Sequence, residues 1–173
     1  MEFLKLARNR FSVRNFSVKK VEQNKINAIL QAGQVAPTAC NLQPQKILVI
    51  QSEDALTKLR KCTVCHFHAP LAILTCYDQK LCWKRECDGK TSGDIDAAIV
   101  TTHMMLEAAE LGIGSTWVMH FIPEAVRDEF QLPENFEPVS ILVMGYPADD
   151  AIPSSAHHAS KNISDTVSYN EYK

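Results

Sequence analysis

The chain has 173 residues, of which 46% are hydrophobic and 22% are charged. This composition is typical of a globular protein and argues against disorder, and the length suits one domain (1–173) with a substantial core. The net charge of −2 gives no reason to expect a nucleic-acid partner, and the apolar runs are too short to span a membrane.

Six cysteines occur without a visible secretory signal, because Met1 is followed by Glu2 and a mixed, charged helical pattern. Cysteines in such a chain are typical of reduced thiols rather than of a disulfide framework. We therefore expect a cytoplasmic protein.

The N-terminal segment predicts a short amphipathic helix over Glu2–Asn9 and extended backbone over residues 10–16. Because side chains alternate along an extended segment, one face carries Arg10, Ser12 and Arg14. The other face carries Phe11 and Val13. Two guanidiniums and a hydroxyl on one face suit a phosphate. The alternative is a solvated strand face that pairs with nearby acids.

A second helix, Lys25–Gln34, precedes a loop at residues 35–45 with the sequence VAPTACNLQPQ. The loop sets polar side chains and free backbone amides between two rigid prolines, Pro37 and Pro44. Such groups can recognise the edge of a ring that carries amides. The alternative is an ordinary connection between a helix and a strand.

Continuous apolar runs at residues 46–51 and 70–77 predict buried strands. Between them, a capping pattern at Ser52 predicts the start of a helix that extends to Cys65. Residues 78–93 are charged and contain two glycines, so they predict a surface loop.

The longest predicted helix begins at Asp94 and stops at Gly112, where a left-handed residue suits the helix end. Acidic residues in its first turn, Asp94 and Asp96, favour the helix dipole. We expect most sides of this helix to be covered, because few polar residues interrupt its wide apolar stripe, which comprises Ile95, Ala98, Ile99, Thr102, Met105, Leu106 and Ala109.

A buried strand is predicted over residues 113–119, after the helix stop. Gly114 would let a planar ligand approach the backbone, and its amide could donate to that ligand. The alternative is a plain helix stop followed by a strand. The segment is not a Rossmann turn, because it follows a helix rather than a strand.

A short helix over Pro123–Phe130, a strand over Val139–Tyr146 and a polar tail over residues 148–173 complete the chain. The pattern predicts an α+β domain in which a sheet of about four strands lies between helices. The long helix is its main cover. The tail is too polar to fold alone, so it either frays or extends across a partner subunit.

In this order, several segments together resemble the FMN-dependent nitroreductase family. They are RFSVRNF, APTACNLQPQ, DIDAAIVTTHMMLEAAELGIGSTW, LVMGYP and the tail HHASKNISDTVSYNEY, which cover nearly the whole chain. The resemblance implies a central, mainly antiparallel sheet and a homodimer. It also implies two FMN molecules at the subunit interface, each contacted by both chains.

The resemblance assigns the site residues by position. The phosphate and ribityl end would contact Arg10, Ser12, Arg14 and, in the tail, Lys161. The other subunit would approach the flavin with Pro37, Thr38, Ala39 and Asn41, and the isoalloxazine would lie by Gly114 and Ser115.

The implied reaction is ping-pong transfer from NADH or NADPH to a small acceptor such as a nitroaromatic compound or a quinone. The flavin carries out the hydride chemistry, so no catalytic side chain is assigned.

The chain departs from the family at several places. At Gln45, relatives often have an aromatic residue. At residues 62–68, cysteines and histidines stand where many relatives offer Asn or Lys to the flavin's pyrimidine side. The chain also lacks the longer insertion that often covers the pocket.

Two alternatives to this function remain. A CxxC spacing at Cys62 and Cys65, with Cys82 and Cys87, suits a metal-based or thiol-based redox sensor. Against a metal, the two pairs differ in spacing and a strand and loop separate them, so none is expected. The second alternative is a specialised flavin reductase or dehalogenase branch of the family, which would be expected to have a longer lid.

Overall fold

The computed structural model describes residues 2–172, which form five α-helices and four β-strands. In chain order the elements are α1 (Phe3–Asn9), α2 (Gln23–Gln34), β1 (Gln45–Ile50), α3 (Glu53–Cys62), β2 (Leu71–Asp78), α4 (Gly93–Glu110), β3 (Gly114–Val118), α5 (Pro123–Phe130) and β4 (Phe136–Gly145). The bounds that differ most from the prediction are the end of the third helix, at Cys62, and the start of the last strand, at Phe136. The predicted burial of the first strand is wrong, because β1 lies at the sheet edge and alternates between exposed and partly buried residues.

The strands form one sheet in the order β1-β2-β4-β3, and every neighbouring pair is antiparallel. The predicted α+β class with an antiparallel central sheet is confirmed. The two central strands, β2 and β4, are buried along almost their whole length, as their continuous apolar runs predict. Their burial follows from the helices that cover both faces of the sheet.

Helices α2 and α4 cover one face of the sheet, and α3 and α5 cover the other. The first layer buries Ile26, Ile29, Val100 and Met104 against Leu142. The second layer buries Leu56, Leu59, Cys62 and Val126 against Ile141. Alternate side chains of one strand thus serve two separate apolar layers.

The apolar stripe predicted for the long helix is not its covered side. Helix α4 directs other residues into the protein, namely Asp96, Ala97, Val100, Thr101, Met104 and Ala108. Stripe members Ala98, Ile99 and Thr102 are only half-buried, and Ile95 is 54% exposed. The helix is apolar around most of its circumference, so one apolar side remains uncovered in the protomer.

The N-terminal segment joins the free edge of β3. Ser12 and Ser115 form a parallel bridge, and the amide of Val13 donates to the carbonyl of Ser115 over 3.0 Å. The backbone here is extended, as predicted, and Val13 is buried. This attachment fixes the neighbouring Arg10 and Arg14 beside the sheet.

The C-terminal tail begins along its own protomer. The amide of Ala148 donates to the carbonyl of Asn15 over 3.1 Å, and the His157 ring lies 3.1 Å from the carbonyl of Arg8. Every residue from 160 to 172 is exposed. Among the described helices, none combines the length and the apolar character needed to cross a membrane.

Candidate functional site

A cleft of about 170 Å³ lies between α1, the end of α4 and the start of β3. It contains three of the predicted site residues, namely Arg10, Gly114 and Ser115. Apolar side chains, including Leu6 and Phe11, form much of the remaining wall. The structure thus brings together residues that are a hundred positions apart in the chain.

Ser115 gives the cleft an unpaired polar group. Its residue is 2% exposed, and its Oγ has no hydrogen-bond partner among the described residues. A buried hydroxyl without a partner is destabilising, and such groups are rare in folded proteins. Arg10 and Ser115 line the same cleft, and a cation and a hydroxyl suit a ligand that is phosphorylated and rich in oxygen acceptors, as FMN is.

Arg14 takes a different environment from Arg10. Its Nη1 donates to the carbonyl of Ser12 over 3.3 Å, and its guanidinium carbon lies 6.0 Å from the centre of the Phe67 ring. The exposed Arg14 therefore borders the loop that follows α3. The sequence pattern gave no signal for this contact with Phe67.

That loop has unusual backbone geometry, with φ of 49° at Phe67 and 50° at His68. Left-handed conformations are uncommon for residues other than glycine, and they cluster at functional sites. The Nδ1 of His66 accepts the amide of His68 over 3.0 Å. Burial lowers the pKa of His66, with further lowering from His68 and Arg60, and this favours the neutral ring that can accept.

Packing within the protomer explains why residue 114 is a glycine. A Cβ at this position would lie 2.6 Å from Cγ2 of Val13 and 3.1 Å from Cγ of Pro147. The absent side chain is therefore required by packing against Val13. Gly114 lines the cleft, but its size does not by itself indicate a flat ligand.

The second group of predicted residues lies in the loop after α2. Pro37 and Asn41 are exposed, and Thr38 and Ala39 are half-buried. The amide of Ala39 donates to Oδ1 of Asp96 over 2.9 Å. The loop is thus attached to the first turn of α4.

The two groups lie at opposite ends of α4. Ala39 bonds to the first turn of this helix, whereas the Arg10 cleft includes Gly112, just beyond its last turn. The 18 residues of α4 span about 27 Å at a rise of about 1.5 Å per residue. A single protomer therefore does not bring the loop at residues 37–41 next to Arg10.

The uncovered side of α4 carries two apolar hollows over residues 94–103 of the helix. One apolar hollow of about 320 Å³ is lined by Ile95, Ala98, Ile99, Thr102 and His103. A second hollow, of about 510 Å³, also contains Ala98 and extends over Trp117, Met119 and Phe121. Continuous apolar surface of this kind marks interaction sites on soluble proteins.

Lys161, the predicted contact from the tail, is exposed and makes no hydrogen bond or ion pair within residues 2–172. It is not among the residues that line the Arg10 cleft. Its predicted contact with the phosphate therefore stays a prediction.

The cysteines do not form a metal centre in the described part of the chain. No group of three or more His, Cys, Asp or Glu residues between positions 2 and 172 is placed to hold a metal ion. Burial raises the pKa of Cys62 to about 11 and that of Cys76 to about 12. These two thiols are therefore neutral at physiological pH and behave as small apolar groups.

The Nitroreductase family model matches residues 7–72 and 66–146 of this chain. A protein of Archaeoglobus fulgidus, provisionally named NADH dehydrogenase/NAD(P)H nitroreductase, is 30% identical over 162 residues, covering 86% of this chain and 87% of the relative. The crystal structure of a nitroreductase family protein from Clostridium difficile 630 is 44% identical with a TM-score of 0.94, covering 99% of this chain and 100% of the other. The FMN-dependent nitroreductase of Clostridium difficile R20291 is 25% identical with a TM-score of 0.77, covering 98% and 99%. The family model, the identity to the Archaeoglobus fulgidus relative and the shared fold establish that this chain belongs to the nitroreductase family.

Proposed function

We propose that this protein is an FMN-dependent oxidoreductase that transfers reducing equivalents from NADH or NADPH to nitroaromatic compounds, quinones or similar small acceptors. Support comes from relatives named as an NAD(P)H nitroreductase and as an FMN-dependent nitroreductase. When bound, FMN supplies the hydride and electron chemistry. In a ping-pong mechanism the donor leaves before the acceptor occupies the same site.

The observation that carries this proposal is the cleft whose lining includes both Arg10 and Ser115, the residue with an unpaired buried hydroxyl. Arg10, which lines the cleft, would hold the phosphate and ribityl end through charge-assisted hydrogen bonds, together with Ser12 and Arg14, which lie outside the cleft lining. The Ser115 Oγ would gain the partner that it lacks within the protomer. The apolar wall of the cleft would exclude water from that contact.

A homodimer would complete the site. The cleft volume of about 170 Å³ lies below the roughly 300–1,000 Å³ of pockets that enclose a ligand. A second copy that runs antiparallel along the uncovered side of α4 would bring its Pro37–Asn41 loop to the partner's cleft. A two-fold axis makes this contact twice, so two equivalent sites result.

Other features of the chain agree with this assignment. Its six cysteines are all free, which suits the reducing cytoplasm. The exposed tail, with Lys161, would lie across the second subunit and bring its cation towards the phosphate. Neither a nucleic acid nor a membrane is required.

The test is a spectrum of the purified chain before and after an FMN titration. We expect stoichiometric uptake of FMN, loss of flavin absorbance on anaerobic addition of NADPH or NADH, and its return when a nitroaromatic compound or a quinone is added. A chain that takes up no FMN in the titration would refute the proposal. A panel of acceptors, compared by kcat/KM, would then define the preferred substrate class.

A further inference from the structure

Asp96 is a buried carboxylate that makes hydrogen bonds in addition to its interaction with the helix dipole. It is 2% exposed in the first turn of α4. Its Oδ2 accepts the hydroxyl of Ser92 over 2.7 Å, and its Oδ1 accepts the amide of Ala39 over 2.9 Å. The carboxylate thus reaches outside the helix to the loop at residues 37–43.

The same loop has a strained backbone. Three residues other than glycine adopt left-handed conformations, with φ of 51° at Cys40, 54° at Asn41 and 50° at Gln43. Such conformations persist only where the surrounding structure fixes them. The loop needs an external attachment on the side where this strained stretch begins.

Within the loop, Thr38 accepts two further hydrogen bonds. Its carbonyl accepts the amide of Asn41 over 2.9 Å, and its Oγ1 accepts the amide of Gln43 over 3.0 Å. These bonds fix the shape of the loop but not its position on the protein. Of the hydrogen bonds described here for residues 37–43, the one from Ala39 to Asp96 connects the loop to α4.

We propose that Asp96 is a positioning residue that holds the Pro37–Asn41 loop in the conformation that contacts FMN bound by the partner protomer. This inference rests on the proposed function. A carboxylate suits the role because hydrogen bonds to a charged acceptor are stronger than bonds between neutral groups. The positive end of the α4 dipole also favours the charge at this place.

The test compares Asp96→Ala with Asp96→Asn in the full chain, with FMN affinity measured by titration. Alanine removes the acceptor for the Ala39 amide, and we expect FMN to bind about ten-fold more weakly, the effect of one charge-assisted hydrogen bond. Asparagine keeps an oxygen for that amide, so we expect it to recover most of the lost affinity. Faster amide hydrogen exchange at Ala39 in the FMN-free Asp96→Ala protein would report the released loop directly.

Thr101→Val is the matched control, because it removes buried hydrogen bonds from α4 to Thr75 and Ser140 without contact with the loop. We expect it to lower thermal stability but to bind FMN as the unsubstituted protein does. If Asp96→Ala fails to fold, Asp96→Ser provides the second variant, because its side chain is too short to make the same bond.

Two outcomes would overturn the inference. One is unchanged FMN affinity in the alanine or serine variant. The other is a loss of FMN affinity in Thr101→Val that equals the loss in Asp96→Ala, when the two variants have similar melting temperatures. The proposed function fails separately, if the unsubstituted protein itself binds no FMN.

Discussion

The side chain of Val13 occupies the space that a Cβ at Gly114 would need, with 2.6 Å between Val13 Cγ2 and that Cβ position. This contact holds the N-terminal segment against β3 and so fixes Arg10 beside the cleft. The position of Arg10, a candidate phosphate-binding residue, therefore depends on the packing of Gly114 against Val13.

The first prediction concerns this contact. Gly114→Ala should destabilise the protein by about 1–3 kcal/mol, the usual effect of overpacking a close contact. Urea unfolding measures the change. In the Val13→Ala background the Cγ2 contact is gone but Val13 Cβ stays 2.9 Å from the Cβ position at residue 114, so the cost of Gly114→Ala should fall only in part. Equal costs in both backgrounds would show that the contact with Val13 Cγ2 is not the cause.

The second prediction concerns the two arginines. Arg10→Ala and Arg14→Ala should each weaken FMN binding by about 1.5–3 kcal/mol, because each removes a charge-assisted contact to the phosphate. Fluorescence titration of FMN measures the affinity. Lys20→Ala is the matched control, since it removes an exposed cation from the same part of the chain without contact with the cleft. If Lys20→Ala weakens FMN binding as much, the loss of affinity comes from the lower net charge of the protein and not from a lost contact with the phosphate.

The third prediction tests the proposed homodimer. Ala98 lines both apolar hollows on the uncovered side of α4, so Ala98→Arg places a charge in the centre of the expected interface. We expect a monomer that has lost most of its FMN affinity. Light scattering after gel filtration measures the mass, and circular dichroism verifies the fold.

Val18→Arg is the control for that experiment, because Val18 is 97% exposed and lies outside both hollows. It should leave the dimer and its FMN affinity unchanged. A dimer that persists in Ala98→Arg would place the interface elsewhere on the protein.

The fourth prediction concerns stability at low pH. The hydroxyl of Tyr146 donates to Glu22 over 2.5 Å, and with a weaker effect of Lys19 this lowers the pKa of Glu22 from 4.5 to about 2. A lowered carboxyl pKa stabilises the folded state above pH 4.5, and this contribution is lost as the pH falls towards 2. Glu22→Gln lacks the contribution at every pH.

The difference in unfolding free energy between the unsubstituted protein and Glu22→Gln should therefore be largest at neutral pH and shrink below pH 4.5. Urea unfolding at pH 7, 4.5 and 3 measures it. A difference that stays constant over this range would mean that the ionisation of Glu22 does not couple to folding.

The fifth prediction concerns the thiols. At pH 8 an alkylating reagent should modify Cys87 first, because it is exposed and lies outside the loop that would contact the partner. Cys62 and Cys76 should react only after unfolding, because burial raises their pKa to about 11 and about 12. Mass spectrometry of timed samples gives the order. Rapid labelling of Cys62 in the folded protein would reopen the thiol-sensor alternative.

Much of the fold could be predicted because it follows from short-range patterns. The continuous apolar runs identified the strands, although β1 is an exposed edge strand rather than a buried one. Ser52 caps α3 through the Ala55 amide over 3.2 Å, and α5 has the predicted bounds Pro123–Phe130. These features depend on residues only a few positions apart. The family and its antiparallel sheet were likewise predicted from the order of the motifs.

The candidate site was predicted only in part. The alternation around Arg10 and Ser12 indicated their common strand, but not that Arg14 would lie over Phe67 while Arg10 lines a cleft with Ser115. Asp96 was assigned to the helix dipole, because its bond to Ala39 joins residues 57 positions apart and leaves no local pattern.

The sequence by itself determined the elements, their order and the chemical character of the site residues, since capping, apolar periodicity and loop composition act over short distances. Only the tertiary structure decided which side of α4 is covered, because that helix is apolar around most of its circumference and periodicity cannot choose between two apolar sides. The structure also decided that the Arg10 cleft and the Pro37–Asn41 loop lie at opposite ends of this helix. Such separations depend on how distant segments pack together.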